Sequence, residues 1–81
     1  MKAMAALRRT APRRRLADRI RAARRGAGLS QEVVAKKLRI ATNQWWRIES
    51  GLQSLPAERL VDVARIINVN VTDLLDAQAA A

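Results

Sequence analysis

Residues 30–51 read SQEVVAKKLRIATNQWWRIESG, and the reading of this window decides the fold. Its pattern predicts two short helices joined by a tight turn, the second rich in side chains that hydrogen-bond to base edges. Ser30 has the place of an N-cap, because its hydroxyl can accept from a free amide of the following turn. Leu29 and Val34 are spaced as a hydrophobic staple. The first helix is expected to reach Leu38 and to bury Val34, Ala35 and Leu38. The second is expected over 42–50, with Gly51 placed to take the left-handed conformation that stops it. On it Trp45 and Ile48 point one way, while Thr42, Asn43, Gln44 and Arg47 largely point elsewhere.

Working outward, Pro12 to Arg25 predicts a preceding helix, since proline is tolerated in a first turn and Leu16, Ile20, Ala23 and Ala27 recur at helical spacing. Gly26 and Gly28 end it, and the intervening arginines read as a solvated surface. Residues 1–11 show little amphipathicity and are expected to form a flexible basic arm. On the other side a fourth helix is predicted from Pro56 to Ile67, burying Leu60, Val63, Ala64 and Ile67, with Asn68 as a left-handed terminator. Asn70 resembles the cap of a short fifth helix whose first turn carries Asp73, and Leu74 and Leu75 close the apolar pattern. Residues 77–81 are expected to fray. The expectation is a compact all-α domain of five helices over 12–76, with no strand-like alternation to compete.

Composition narrows the function. A chain of 81 residues is one domain at most, and one of this size buries only roughly 60% of the surface its unfolded form exposes. Two tryptophans are its only aromatic residues, so Leu, Ile, Val and Ala must supply the core. There is no Cys and no His, which removes a disulfide framework and the usual zinc ligands, and no cofactor is expected. Residues 1–53 hold fourteen Lys or Arg against Asp18, Glu32 and Glu49, a balance of +11, whereas residues 54–81 balance at −2. One half of the chain therefore seeks a polyanion. The opening MKAMAALRR could be mistaken for a targeting peptide, but no apolar run is long enough for a signal core or a membrane span. No membrane association is expected, and a reducing cytosolic setting is compatible.

From Leu16 to Leu75 the chain resembles the lambda-repressor-like helix-turn-helix family, the phage Cro/repressor or XRE type. The resemblance is carried by Leu29-Ser30-Gln31-Glu32, Val34-Ala35, Ile48-Glu49, Gly51 and the NVNVTDLL ending at Leu75. It implies that the helix over 42–50 lies in the major groove of double-stranded DNA and that the helix over 30–38 crosses the backbone above it. Thr42, Asn43 and Arg47 then fall where the family places base-contacting side chains. Gln31 falls where it contacts phosphate and braces the recognition helix. The chemistry agrees: Asn can pair with adenine through two hydrogen bonds, Arg with guanine, and a Thr methyl can touch a thymine methyl. Gln44 and Trp46 share the helix, and Lys36, Lys37, Arg39, Arg13, Arg14 and Arg15 are expected phosphate neighbours.

Three residues depart from the family pattern. Arg39 stands where Gly is usual, at a turn expected to be left-handed, which implies a strain of roughly 1–2 kcal/mol unless the turn differs or Arg39 gains a phosphate contact. Ala41 stands where Ser or Thr is usual, so Thr42 is the alternative cap for the recognition helix. Trp46 replaces a small polar residue. Trp45 takes the buried position, and Trp46 cannot share its direction, because neighbours on a helix sit ~100° apart. Three places are open to Trp46: partial burial against a neighbouring helix, contact with DNA sugar or methyl groups, or contact with a protein partner. Glu49 reads as structural, holding a helix end or pairing with Arg.

The resemblance implies a sequence-specific transcriptional regulator, a small Cro-like repressor of phage or bacterial origin that acts in the cytosol or nucleoid by occupying a site. Family members commonly bind near-palindromic operators as homodimers. Leu74 and Leu75 are the expected dimer contacts, although the same leucines could complete the monomer core. The rivals are an antitoxin that also holds a protein partner, and an architectural binder driven by charge alone. No enzyme is expected: the chain lacks a glycine-rich phosphate loop and a paired-carboxylate pattern.

Overall fold

The computed structural model describes the backbone of residues 2–79 and the side chains of residues 14–75. Five helices follow one another: α1 Lys2–Gly26, α2 Gln31–Leu38, α3 Thr42–Glu49, α4 Ala57–Ile66 and α5 Val71–Ala79. No strand occurs among the described residues. The all-α architecture and the helix-turn-helix at its centre match expectation. Helix α1 begins at Lys2, ahead of the Pro12 start read from the sequence. Ala, Leu, Arg, Lys and Met are strong helix formers, and their number outweighs the one amide donor missing at Pro12. For the same reason the alanine-rich end is helical to Ala79. Expectations for Met1, Ala80 and Ala81 lie outside the described residues.

The core gathers one stripe from each helix. Ile20, Val34, Ala35, Leu38, Trp45, Ile48, Leu60, Val63, Ala64, Ile67 and Leu74 form a single buried cluster, with Trp45 its largest member. Around it α1 packs on α3 and α5, α2 on α3 and α4, and α4 on α5. Leu74 is 2% exposed and completes the monomer core. It is therefore not a dimer contact, whereas Leu75, one residue on and turned ~100° away, stays 40% exposed. On α1 the buried stripe includes Ala17 and Arg24, and Ala27 is exposed because it lies beyond the end of the helix.

Four helices stop in the same way. At Gly28, Arg39, Gly51 and Asn68 the backbone turns left-handed, with φ of 73°, 60°, 75° and 60°. In each case the amide of that residue and the next bond back to carbonyls of the last turn, as in Arg39 to Lys36 O at 3.1 Å and Ile40 to Ala35 O at 3.0 Å. The residue after each turn is apolar. Leu29, Ile40 and Val69 fold back onto the core, and Leu52 stays 63% exposed. Gly51 has a second reason to be glycine: a Cβ there would lie 3.3 Å from the Arg14 Cα, so α1 passes close over the end of α3.

Arg39 thus keeps the left-handed turn, at φ 60° and ψ 43°, and carries its strain. Arg39→Gly is expected to raise stability by about 0.5–1 kcal/mol, because relief of roughly 1–2 kcal/mol of strain is partly offset by the added freedom of the unfolded chain. Urea unfolding of both proteins measures this, and a destabilised glycine variant would show that the Arg39 side chain holds the turn.

Candidate nucleic-acid interface

Helix α3 is divided by its own periodicity. Trp45, Ile48 and Glu49 are buried, and Thr42, Asn43, Gln44, Trp46 and Arg47 are exposed. At ~100° per residue, Asn43 and Arg47 lie at the centre of the outward face. Thr42 and Trp46 occupy one flank and Gln44 the other.

The outward face is held by what lies behind it. Glu49 is 1% exposed, and a buried carboxylate is costly unless its lone pairs are satisfied. Here the Arg24 guanidinium donates from Nε to Oε2 and from a terminal nitrogen to Oε1 at 3.0 Å. The Gln31 amide donates to Oε1 at 3.1 Å, and the Trp45 indole donates to Oε2. Arg21 adds a bond to the Glu49 backbone carbonyl at 2.9 Å, and Arg24 also reaches the Leu29 carbonyl at 2.9 Å. Burial pushes the Glu49 carboxyl up, but the hydrogen bonds from Arg24, Gln31 and Trp45 and the Arg24 charge outweigh it, so the group sits below the usual carboxylate range. One side chain of α3 is thereby tied to α1 and to α2. Glu49 pairs with Arg as the sequence implies. Arg24, expected in solvent, is 8% exposed and central to the network.

The first turn of α2 is capped as predicted, with the Ser30 hydroxyl accepting from the Val33 amide at 3.2 Å. That of α3 is not. Ala41 occupies the N-cap without a side-chain bond, and Thr42 does not replace it but begins the helix with its side chain exposed. The leading amides of α3 are left without a side-chain partner.

Thr42 and Trp46 line a groove with Arg21, Arg24, Arg25, Ser30, Gln31 and the acidic Glu32, where the end of α1 meets the start of α2. Trp46 is 47% exposed, so it is partly buried and the other face of its ring stays open to solvent. Arg21 and Arg25 were not singled out in the sequence, where they are two among many arginines of α1. Gln31 is half-buried, and its amide braces Glu49. The other expected residues are dispersed. Gln44 borders a hollow with Leu38, Ile40 and Arg59. Lys37 and Arg39 face α4, near Arg59 and Arg65, and Lys36, Arg14 and Arg15 are exposed. The Arg13 side chain lies outside the described residues.

A braced helix presenting amide and guanidinium groups, set behind a capped helix and flanked by arginines, defines the class: a DNA-binding regulator of the helix-turn-helix kind. The family model described as a helix-turn-helix domain matches residues 15–78. The chain belongs to that family, which is related to the XRE and lambda-repressor-like domains. Its members are typically not enzymes. Neither a curated protein nor a solved structure gives a match. Among the described residues no helix is long and apolar enough to cross a membrane.

Proposed function

We propose that the chain is a sequence-specific transcriptional regulator, a small Cro-like repressor that works by occupying its operator. The observation that carries this reading is the outward face of α3. Asn43 and Arg47, two side chains that can pair with base edges through two hydrogen bonds, stand at its centre, and the helix that bears them is fixed by the Glu49 network. Arg21, Arg25 and the amides at the Ser30-capped start of α2 supply the phosphate-facing wall beside it, with Glu32 the acidic residue on its border. The chain binds as a homodimer to a near-palindrome, with two copies of α3 about 34 Å apart in successive major grooves. Leu75, 40% exposed, is available to such a dimer, whereas Leu74 is buried.

The test is selection from a library of random duplexes at about 150 mM salt, near physiological ionic strength, followed by sequencing of the bound fraction. Enrichment of a near-palindrome is expected. Uniform binding that weakens with salt in every sequence alike would replace this reading with that of a charge-driven architectural protein.

A further inference from the structure

We propose that Trp46 reads methyl groups: its indole face packs against the C5-methyl of a pyrimidine in the major groove, beside the bases met by Asn43 and Arg47. The inference rests on the DNA-binding reading and goes beyond it, because it assigns a residue and a chemical group that hydrogen-bonding readout does not cover.

Position comes first. Trp46 follows Thr42 by one helical turn and Asn43 by three residues, so it stands on the exposed side of α3 between the Asn43/Arg47 centre and the Arg21/Arg25 wall. When Asn43 and Arg47 face base edges and the arginines face phosphates, the strip between them is where Trp46 must lie. In the major groove the pyrimidine C5 position occupies that strip, outside the hydrogen-bonding edges and next to the sugar-phosphate backbone. Chemistry comes second. An indole has one donor, no acceptor and two broad apolar faces, so it is a poor reader of base hydrogen bonds and a good one of hydrocarbon. The thymine methyl is the apolar group that the major groove presents. Exposure comes third. The core is already filled at this level by Trp45 at 0% exposed, and Trp46 remains 47% exposed. Its apolar surface is available to a ligand.

The experiment uses the full chain and the duplex enriched from the random library. At each pyrimidine of the site four duplexes are compared: thymine against uracil, and cytosine against 5-methylcytosine. Each pair differs by a methyl alone. The expected result is one position per half-site where removing the methyl from thymine weakens binding about fourfold and adding it to cytosine strengthens binding by a similar factor, the effect of burying one methyl-sized group. Both contrasts should vanish in Trp46→Ala, while the loss caused by Asn43→Ala persists in that background. Circular dichroism checks that the variant folds; if it does not, Trp46→Leu takes its place, and Thr42→Ser, which removes the other methyl on that flank, should leave both contrasts intact.

Methyl contrasts of equal size in wild type and Trp46→Ala would overturn the proposal. So would a preferred duplex indifferent to methylation. Equal weakening of all duplexes in Trp46→Ala would assign the ring to sugar contacts, and unchanged DNA binding would assign it to a protein partner. If no duplex is enriched, the DNA-reading function fails and this inference fails with it.

Discussion

Arg24→Ala is expected to destabilise the protein by about 3–5 kcal/mol, the range for removing one partner of a buried, hydrogen-bonded ion pair. The cost comes from what is left behind. Glu49 would remain buried with Gln31 and Trp45 as its side-chain hydrogen-bond donors, and its one remaining cation among the described residues would be the partly exposed Arg21, 3.7 Å from Oε1. Replacing both partners with apolar residues, as in Arg24→Met with Glu49→Leu, should recover much of the loss, since no uncompensated charge is then enclosed. The pair also sets an acid response. The Glu49 carboxyl is held below its usual value of 4.5 in the folded chain. Its contribution to stability is therefore fully present above that value and is lost as pH falls through the lower folded value. Urea unfolding at pH 7 and across the acid range measures both effects. In Arg24→Ala this acid response should shrink, because the hydrogen bond and charge of Arg24 that lower the carboxyl are gone while burial still raises it. A loss below about 1 kcal/mol, within the range of an exposed pair, would mean that the network does not hold α3 in place.

Asn43→Ala and Arg47→Ala are each expected to lower affinity for the preferred duplex by about 1–3 kcal/mol, the worth of a bidentate base contact. The loss should be selective. Asn43 is uncharged, so a scrambled duplex should bind its variant as it binds wild type. Arg47 contributes some charge to every sequence and most of its effect to the preferred one. Lys36→Ala and Lys37→Ala provide the contrast. If those side chains meet phosphates, each lowers affinity for all sequences and reduces the slope of log affinity on log salt by about 0.9. Parallel titrations against preferred and scrambled duplexes at several salt concentrations measure all four variants. Equal losses on both duplexes for Asn43→Ala would remove it from base readout.

Much of the fold was legible because it rests on local rules. The Ser30 cap, the left-handed stops at Gly51 and Asn68, and the division of α3 into buried and exposed sides each follow from residues a few positions apart. Even Arg39, a residue ill suited to φ of 60°, was marked by the position it occupies. Arg24 was not legible in the same way. Its partner is 25 residues distant, and an arginine beside an apolar stripe ordinarily reads as the solvated edge of a helix. The signal lay in its spacing, one turn from Ile20 and two from Ala17, both buried. The exposed side chains of α3 were named from sequence. Their grouping was not, because only the packing of α1 against α3 separates Arg21 and Arg25, beside Trp46, from Lys37 and Arg39, beside α4. The extent of α1 was underestimated for a simpler reason: alanine and arginine in number form a helix without needing an amphipathic pattern.

Because Arg24 and Glu49 neutralise each other inside the protein, α3 meets solvent with a single charge, that of Arg47. The remaining outward side chains of α3 are neutral, and the cations around it belong to other elements, Arg21 and Arg25 to α1 among them. For a chain on DNA, this separates the forces of search from those of arrest. Charge on α1 and α2 acts over about a nanometre at physiological salt and is indifferent to sequence, so it can retain the protein on any duplex while it slides. The neutral face of α3 acts only at contact. It adds little hold until the bases beneath it are the right ones, and residence time rather than encounter rate becomes the quantity that distinguishes the operator.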